Sequence, residues 1–102
     1  MTSPLRSMSA GALVDAIDHL LGARGWPRAR RARPRGRATA EHAYARRVAV
    51  IMLDRLADSL PVAARARALG CTAQTYTHYQ QTITAAHRAV AGELLDEMHA
   101  RG

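Results

Sequence analysis

Gln74, Thr75, Thr77, His78 and Gln81 fall within eight consecutive residues that contain no Asp, Glu, Lys or Arg. Carboxamides, hydroxyls and an imidazole placed so closely suit one chemistry, hydrogen bonding to base edges. Gln pairs bidentately with adenine, and Thr offers a hydroxyl to an acceptor or its methyl to thymine. Thr72, just ahead of them, has the chemistry of a helix N-cap, and a helix start suits a phosphate. Arg65 and Arg67, in the preceding short segment, suit phosphate contacts that orient without reading sequence.

Other chemistry is poorly supplied. The five histidines, His19, His42, His78, His87 and His99, include no i,i+4 pair, and Cys71 is the only cysteine. No zinc signature results. Cys71 near a helix start has a reason for a lowered pKa, but the spacing places no base beside it, as a nucleophile requires. Its bland reading is the small apolar residue of a turn. Glu41-His42 and Asp96-Glu97 are isolated pairs, and there is no Gly-rich phosphate loop. The expectation is no enzyme, no metal and no cofactor.

The elements that must hold the polar cluster follow from periodicity. Residues 1–8 read as a frayed start. Ser9 is a cap, with Met8 and Leu13 as a hydrophobic staple. Leu13, Ile17, Leu20 and Leu21 form one face of a first helix, about 10–21, stopped at Gly22. A second helix, about 40–59, has Thr39 as its cap. Tyr44, Val48, Ile51, Met52, Leu56 and Leu60 recur on its inner face, and Pro61 ends it. Arg46, Arg47, Asp54, Arg55 and Asp58 are placed mostly on its other face, with no role beyond solubility. A third helix, about 61–69, buries Val62, Ala66 and Leu69. A fourth begins after Cys71 and runs to His99 as one long element, with Gly92 as the weak point where it bends or breaks.

Residues 61–93 therefore have the layout of a helix-turn-helix. Ala66 lets two helices approach, and Gly70 adopts the turn without a Cβ penalty. Cys71, Tyr76 and Tyr79 face the first helix. Arg65 departs from the pattern, since an apolar residue is common there, and Val62 is the substitute anchor. A small helical bundle without a DNA role would show the same amphipathicity.

Between the first two helices lies a different material, GARGWPRARRARPRGRA, residues 22–38. Its Pro and Gly residues forbid a long helix. Arg28, Arg30, Arg31, Arg33, Arg35 and Arg37 make it either a solvated linker or a basic arm. An arm would lie on phosphates or enter a minor groove, or fold on RNA. Trp26, unusual in a solvated loop, is expected to pack back on the core or stack on an Arg or a partner. The acidic end of the last helix, Glu93, Asp96 and Glu97, faces away from DNA. It is either a solvated face or a surface for a partner's basic residues.

The totals agree with a small helical domain. One hundred and two residues, Ala-rich and with four aromatics, build a modest aliphatic core. The boundaries read as 1–22 N-terminal helix, 23–39 Arg-rich linker or arm, and 40–102 helix-turn-helix domain. All fifteen basic residues are Arg, and the formal charge is +7. A GC-rich genome explains Arg over Lys, but not the excess or its clustering, which is an electrostatic footprint of nucleic-acid binding. One cysteine excludes an internal disulfide and fits a reducing compartment. No apolar run is long enough to span a bilayer, and no signal peptide is expected. The fold class is all-α, about four helices with a helix-turn-helix and a long C-terminal helix.

ARALGCTAQTYTHYQQTITAAHRAV, with its Gly70-Cys71-Thr72 turn, Thr75-Tyr76 and the Ala85-Ala86 pair, resembles the C-terminal helix-turn-helix of Q-type phage antitermination proteins. More distantly it is similar to region 4 of sigma factors. The resemblance covers roughly residues 41–99. It implies binding to a promoter-proximal DNA element through Gln74, Thr75, Thr77 and His78. It also implies other surfaces that engage paused RNA polymerase so that it ignores terminators.

Three functions stay open. The first is a DNA-binding transcription regulator in the cytoplasm of a bacterial host, at the nucleoid. It has double-stranded DNA, and in the antitermination form RNA polymerase, as partner. The second is a protein-binding inhibitor or adaptor acting on host machinery. The third is an RNA-binding module using the Arg arm. Both monomer and homodimer fit the apolar seam of the last helix.

Overall fold

The run Val48–Leu53 contains no polar residue, and a helix apolar on every side must be buried on every side. In the computed structural model, which describes residues 8–30 and 40–101, this run lies at the centre of the molecule, every member at 8% exposure or less. It belongs to α2 (Ala40–Leu56), against which α1 (Ala10–Ala23), α4 (Ala73–Gln81) and α5 (Ala85–Arg101) all pack. α3 (Val62–Leu69) packs on α1 and α4. The described residues are all-α, with five helices and no strand.

α1 starts where Ser9 caps it, its Oγ accepting from the Ala12 N–H at 3.1 Å, and Met8 packs on the core beside this start. The buried set Leu13, Val14, Ile17, Leu20 and Leu21 is the apolar face expected from spacing. The helix runs past Gly22, however, and turns at Gly25, whose φ is +76°. Gly22 lies on an exposed face where nothing forces a turn.

The expected linker is docked over its first part. Trp26 N–H donates to Leu21 O, and the Ala29 N–H donates to Asp18 Oδ1 at 2.7 Å. Trp26 meets the Tyr44 ring edge-on at 4.9 Å, and Ala29 is fully buried. The cap expected at Thr39 and Arg31, Arg33, Arg35 and Arg37 lie outside the described residues.

α2 ends at Leu56, earlier than expected, because residues 57–60 turn before Pro61. α3 ends at Gly70 in a left-handed conformation, φ +84°. There Cys71 N–H donates to Ala66 O at 3.0 Å and Gly70 N–H to Arg67 O at 3.1 Å, the paired bonds of a Schellman end. Two residues later Thr72 caps α4, its Oγ1 accepting from Thr75 N–H at 3.1 Å.

The single long helix expected after Cys71 is two helices. The chain breaks at Thr82-Ile83-Thr84, not at Gly92, which lies within α5. Three consecutive β-branched residues favour helix poorly. A competing start signal also sits there. Thr84 N–H donates to His87 Nδ1 at 2.9 Å, and Thr84 Oγ1 lies 3.0 Å from the same nitrogen. This is a capping box with His in place of Glu. The apolar seam of α5, Ala91, Leu94, Leu95 and Met98, is buried within the chain.

Candidate nucleic-acid interface

α4 divides cleanly by exposure. Gln74, Thr77, His78 and Gln81 are exposed, while Tyr76 is fully buried and Tyr79 and Gln80 are half-buried. At 100° per residue the four exposed side chains share an arc of about 100°. None of them is an acid, a Lys or an Arg, so the stripe carries no permanent charge and offers side-chain donors and acceptors.

The opposite side of α4 is fixed by polar bonds as well as by packing. The Tyr76 hydroxyl donates to Asp54 Oδ1 at 2.6 Å, and Gln80 Nε2 donates to Asp54 Oδ2 at 3.0 Å. Burial, reinforced by that carboxylate, keeps the Tyr76 hydroxyl protonated, far above its ordinary range. The Arg46 guanidinium, 8% exposed, reaches Tyr79 Oη at 3.2 Å and Ala29 O at 3.0 Å. It also approaches Leu69 O at 3.4 Å and Gly70 O at 3.5 Å, and so stands at the carbonyl end of α3, where a cation is favoured. Arg47 donates to Thr82 Oγ1 at 2.9 Å at the other end of α4 and lies over the Tyr79 ring.

Arg46, Arg47 and Asp54 therefore correct the expectation of a merely solvated face on α2. α2 packs against α1, α4 and α5, so these three polar positions face other helices, while Glu41 and Arg55 stay exposed. The available signal was the length of the Val48–Leu53 run, which leaves α2 too little free surface for an outer face.

The other expected site residues are distributed as follows. Thr72 is exposed, but its hydroxyl bonds the Thr75 hydroxyl at 2.9 Å, so Thr72 and Thr75 serve the helix start together. Arg67 is exposed on the last turn of α3. Arg65, expected to point outward, is turned in. It pairs with Asp54, donates to Leu60 O at 3.2 Å, and keeps only 12% of its side chain exposed. Arg28 is exposed. Arg30 is half-buried, donating to Gly11 O at 3.1 Å and pairing with Asp15 at 3.0 Å. Glu93 and Glu97 pair with Arg24 at 3.1 and 3.5 Å.

A groove of about 400 Å³ lies elsewhere, lined by Trp26, Pro27, Tyr44, Arg24 and Glu41 among others, with no α4 residue in its wall. Among the described residues no three His, Cys, Asp or Glu gather into a metal-binding group, and no helix is long and apolar enough to cross a membrane. No protein-family model, no curated protein and no solved structure matches this chain.

Proposed function

We propose that this chain is a sequence-specific DNA-binding transcription regulator. α3, the Gly70 turn and α4 form its helix-turn-helix, and α4 enters the major groove. The observation that carries this reading is the exposed stripe Gln74, Thr77, His78 and Gln81, free of acids, Lys and Arg, on a helix whose other side is bonded to α2. α4 is about 14 Å long, and a major groove about 12 Å wide admits such an element. Gln74, Thr77, His78 and Gln81 read bases, while Thr72 and Thr75 hold the helix start near the backbone. Arg67 and Arg28 supply phosphate contacts, consistent with a formal charge of +7.

The resemblance of residues 61–99 supports the antitermination form of this function. In that form the chain binds a promoter-proximal element at the nucleoid and modifies RNA polymerase. Burial of the α5 seam within the chain favours a monomer on a single site over a pair of copies joined through that seam.

The test is selection of the full chain against a random duplex pool, followed by titration of the enriched site at two salt concentrations. A motif bound at least ~10³ more tightly than bulk DNA is expected. A palindrome would indicate a dimer, and a single half-site the antitermination form. Weak, steeply salt-dependent binding without enrichment would end this reading and direct the search to a protein or RNA partner.

A further inference from the structure

Asp54 occupies the point of α2 where α3 and α4 both reach it. Oδ1 accepts from the Tyr76 hydroxyl and from the Arg65 guanidinium, and Oδ2 accepts from Gln80. One carboxylate thus ties three helices. It also holds Arg65, whose guanidinium lies 5.7 Å from the Tyr76 ring centroid and bonds the Leu60 carbonyl.

We infer that Asp54 determines specificity without touching DNA, fixing the pose of α4 and withholding Arg65 from phosphate. The inference rests on the DNA-reading function proposed above. A cation that reaches phosphate strengthens binding to every sequence alike. A free guanidinium beside the reading helix would therefore raise the affinity for bulk DNA. Paired with Asp54 it adds no net charge at that place. A phosphate drawing Arg65 away would have to break the ion pair and the bond to Leu60 O. The same carboxylate anchors Tyr76 and Gln80, which are interleaved with Thr77, His78 and Gln81. A shift of the buried pair moves the reading stripe with it.

The experiment uses the full chain, the selected duplex and a scrambled duplex, over a series of salt concentrations. Asp54→Asn is expected to lower the specific-to-scrambled ratio by about tenfold, within the range of one lost base contact. It is also expected to steepen the salt slope by about one, as Arg65 is released to a phosphate. Arg65→Gln in the wild-type background is expected to leave the slope unchanged, and the double variant to return it to the wild-type value. Tyr76→Phe, which keeps the ring and loses the hydroxyl, is expected to lower the ratio at constant slope. If Asp54→Asn does not fold by circular dichroism, Tyr76→Phe still decides the positioning of α4, and a flattened slope in Arg65→Gln still overturns the withholding of Arg65.

A slope flattened by about one in Arg65→Gln would show that Arg65 already contacts phosphate and would overturn the inference. An unchanged ratio in Tyr76→Phe would do the same. A wild-type chain that discriminates no duplex would overturn the DNA reading itself, and this inference with it. Discrimination in the wild type with no effect of these variants would overturn the inference alone.

Discussion

His87 Nδ1 accepts the backbone N–H of Thr84 at 2.9 Å, and this bond begins α5. Only the neutral imidazole has a lone pair to offer there. Burial pushes the His87 pKa below its ordinary 6.5, and the positive charge of Arg47 pushes the same way. The Tyr44 ring stands 4.2 Å from the imidazole on the α2 side. His42 is lowered too, first by burial and then by Arg46.

A pH dependence of stability follows, and its sign is fixed. Well above the ordinary value of 6.5 both histidines are neutral in folded and unfolded chains alike, and their neutral-state stabilisation is complete. Below that value the unfolded chain takes up protons first, so stability falls with pH. The thermal midpoint is expected to drop between about pH 7 and about pH 5. His87→Gln keeps a capping acceptor without a titrating group. Its drop should be smaller, leaving the share of His42. An equal drop in the variant would remove His87 from the account.

Gly92 gives an opposite kind of prediction. It lies within α5, and a Cβ built there meets nothing within 4 Å. Ala at this position reduces the entropy lost on folding and favours helix by about 1 kcal/mol. Gly92→Ala should therefore raise the urea midpoint without changing the slope of the transition. A lower midpoint would mean that α5 is not continuous through this residue.

That glycine also shows where the helices were legible in the amino-acid sequence and where they were not. The start of α1 at Ser9, the turn at Gly70 and the cap at Thr72 are local signals, each read from one residue and its neighbours. The break at Thr82-Ile83-Thr84 is local as well, but it was masked. Tyr79, Ile83, Ala86 and Val90 keep the apolar spacing of one helix straight through it. The T-x-x-H box competes with that spacing and wins, because His87 can supply the acceptor that Glu supplies elsewhere. The network of Asp54, Arg65, Tyr76 and Gln80 was not legible. It depends on which side of α2 faces α4, a tertiary fact. Helical period alone placed Asp54 and Arg46 outside, since it assigns one outer face to every amphipathic helix, and α2 has neighbours on several sides.

Arg46 carries the third prediction. Its guanidinium satisfies carbonyls of Ala29, Leu69 and Gly70 in a nearly closed site. Arg46→Met removes a buried cation, but strands those acceptors, and an unsatisfied buried polar group costs about 1–3 kcal/mol. A loss of about 3 kcal/mol in urea unfolding is expected. Trp26, the only tryptophan in the chain, lies in the docked segment that Arg46 holds at Ala29. Its emission should shift to the red in the folded variant as that segment loosens. An unshifted spectrum with wild-type stability would show that the segment is held without Arg46.

The last prediction separates reading from attraction on the proposed interface. Gln74 and His78 lie one turn apart on the exposed stripe of α4, and Arg67 lies on the preceding helix outside that stripe. Each good bidentate pair to a base contributes about 1–3 kcal/mol of discrimination, whereas a phosphate contact contributes none. Gln74→Ala combined with His78→Ala should bring the affinity for the selected duplex close to that for a scrambled one, at nearly the same salt slope. Arg67→Gln should weaken both duplexes alike and flatten the slope by about one. The two effects exchange places if α4 lies along the backbone and α3 enters the groove. In that case loss of Arg67 would change which sequence is preferred, and loss of Gln74 with His78 would not.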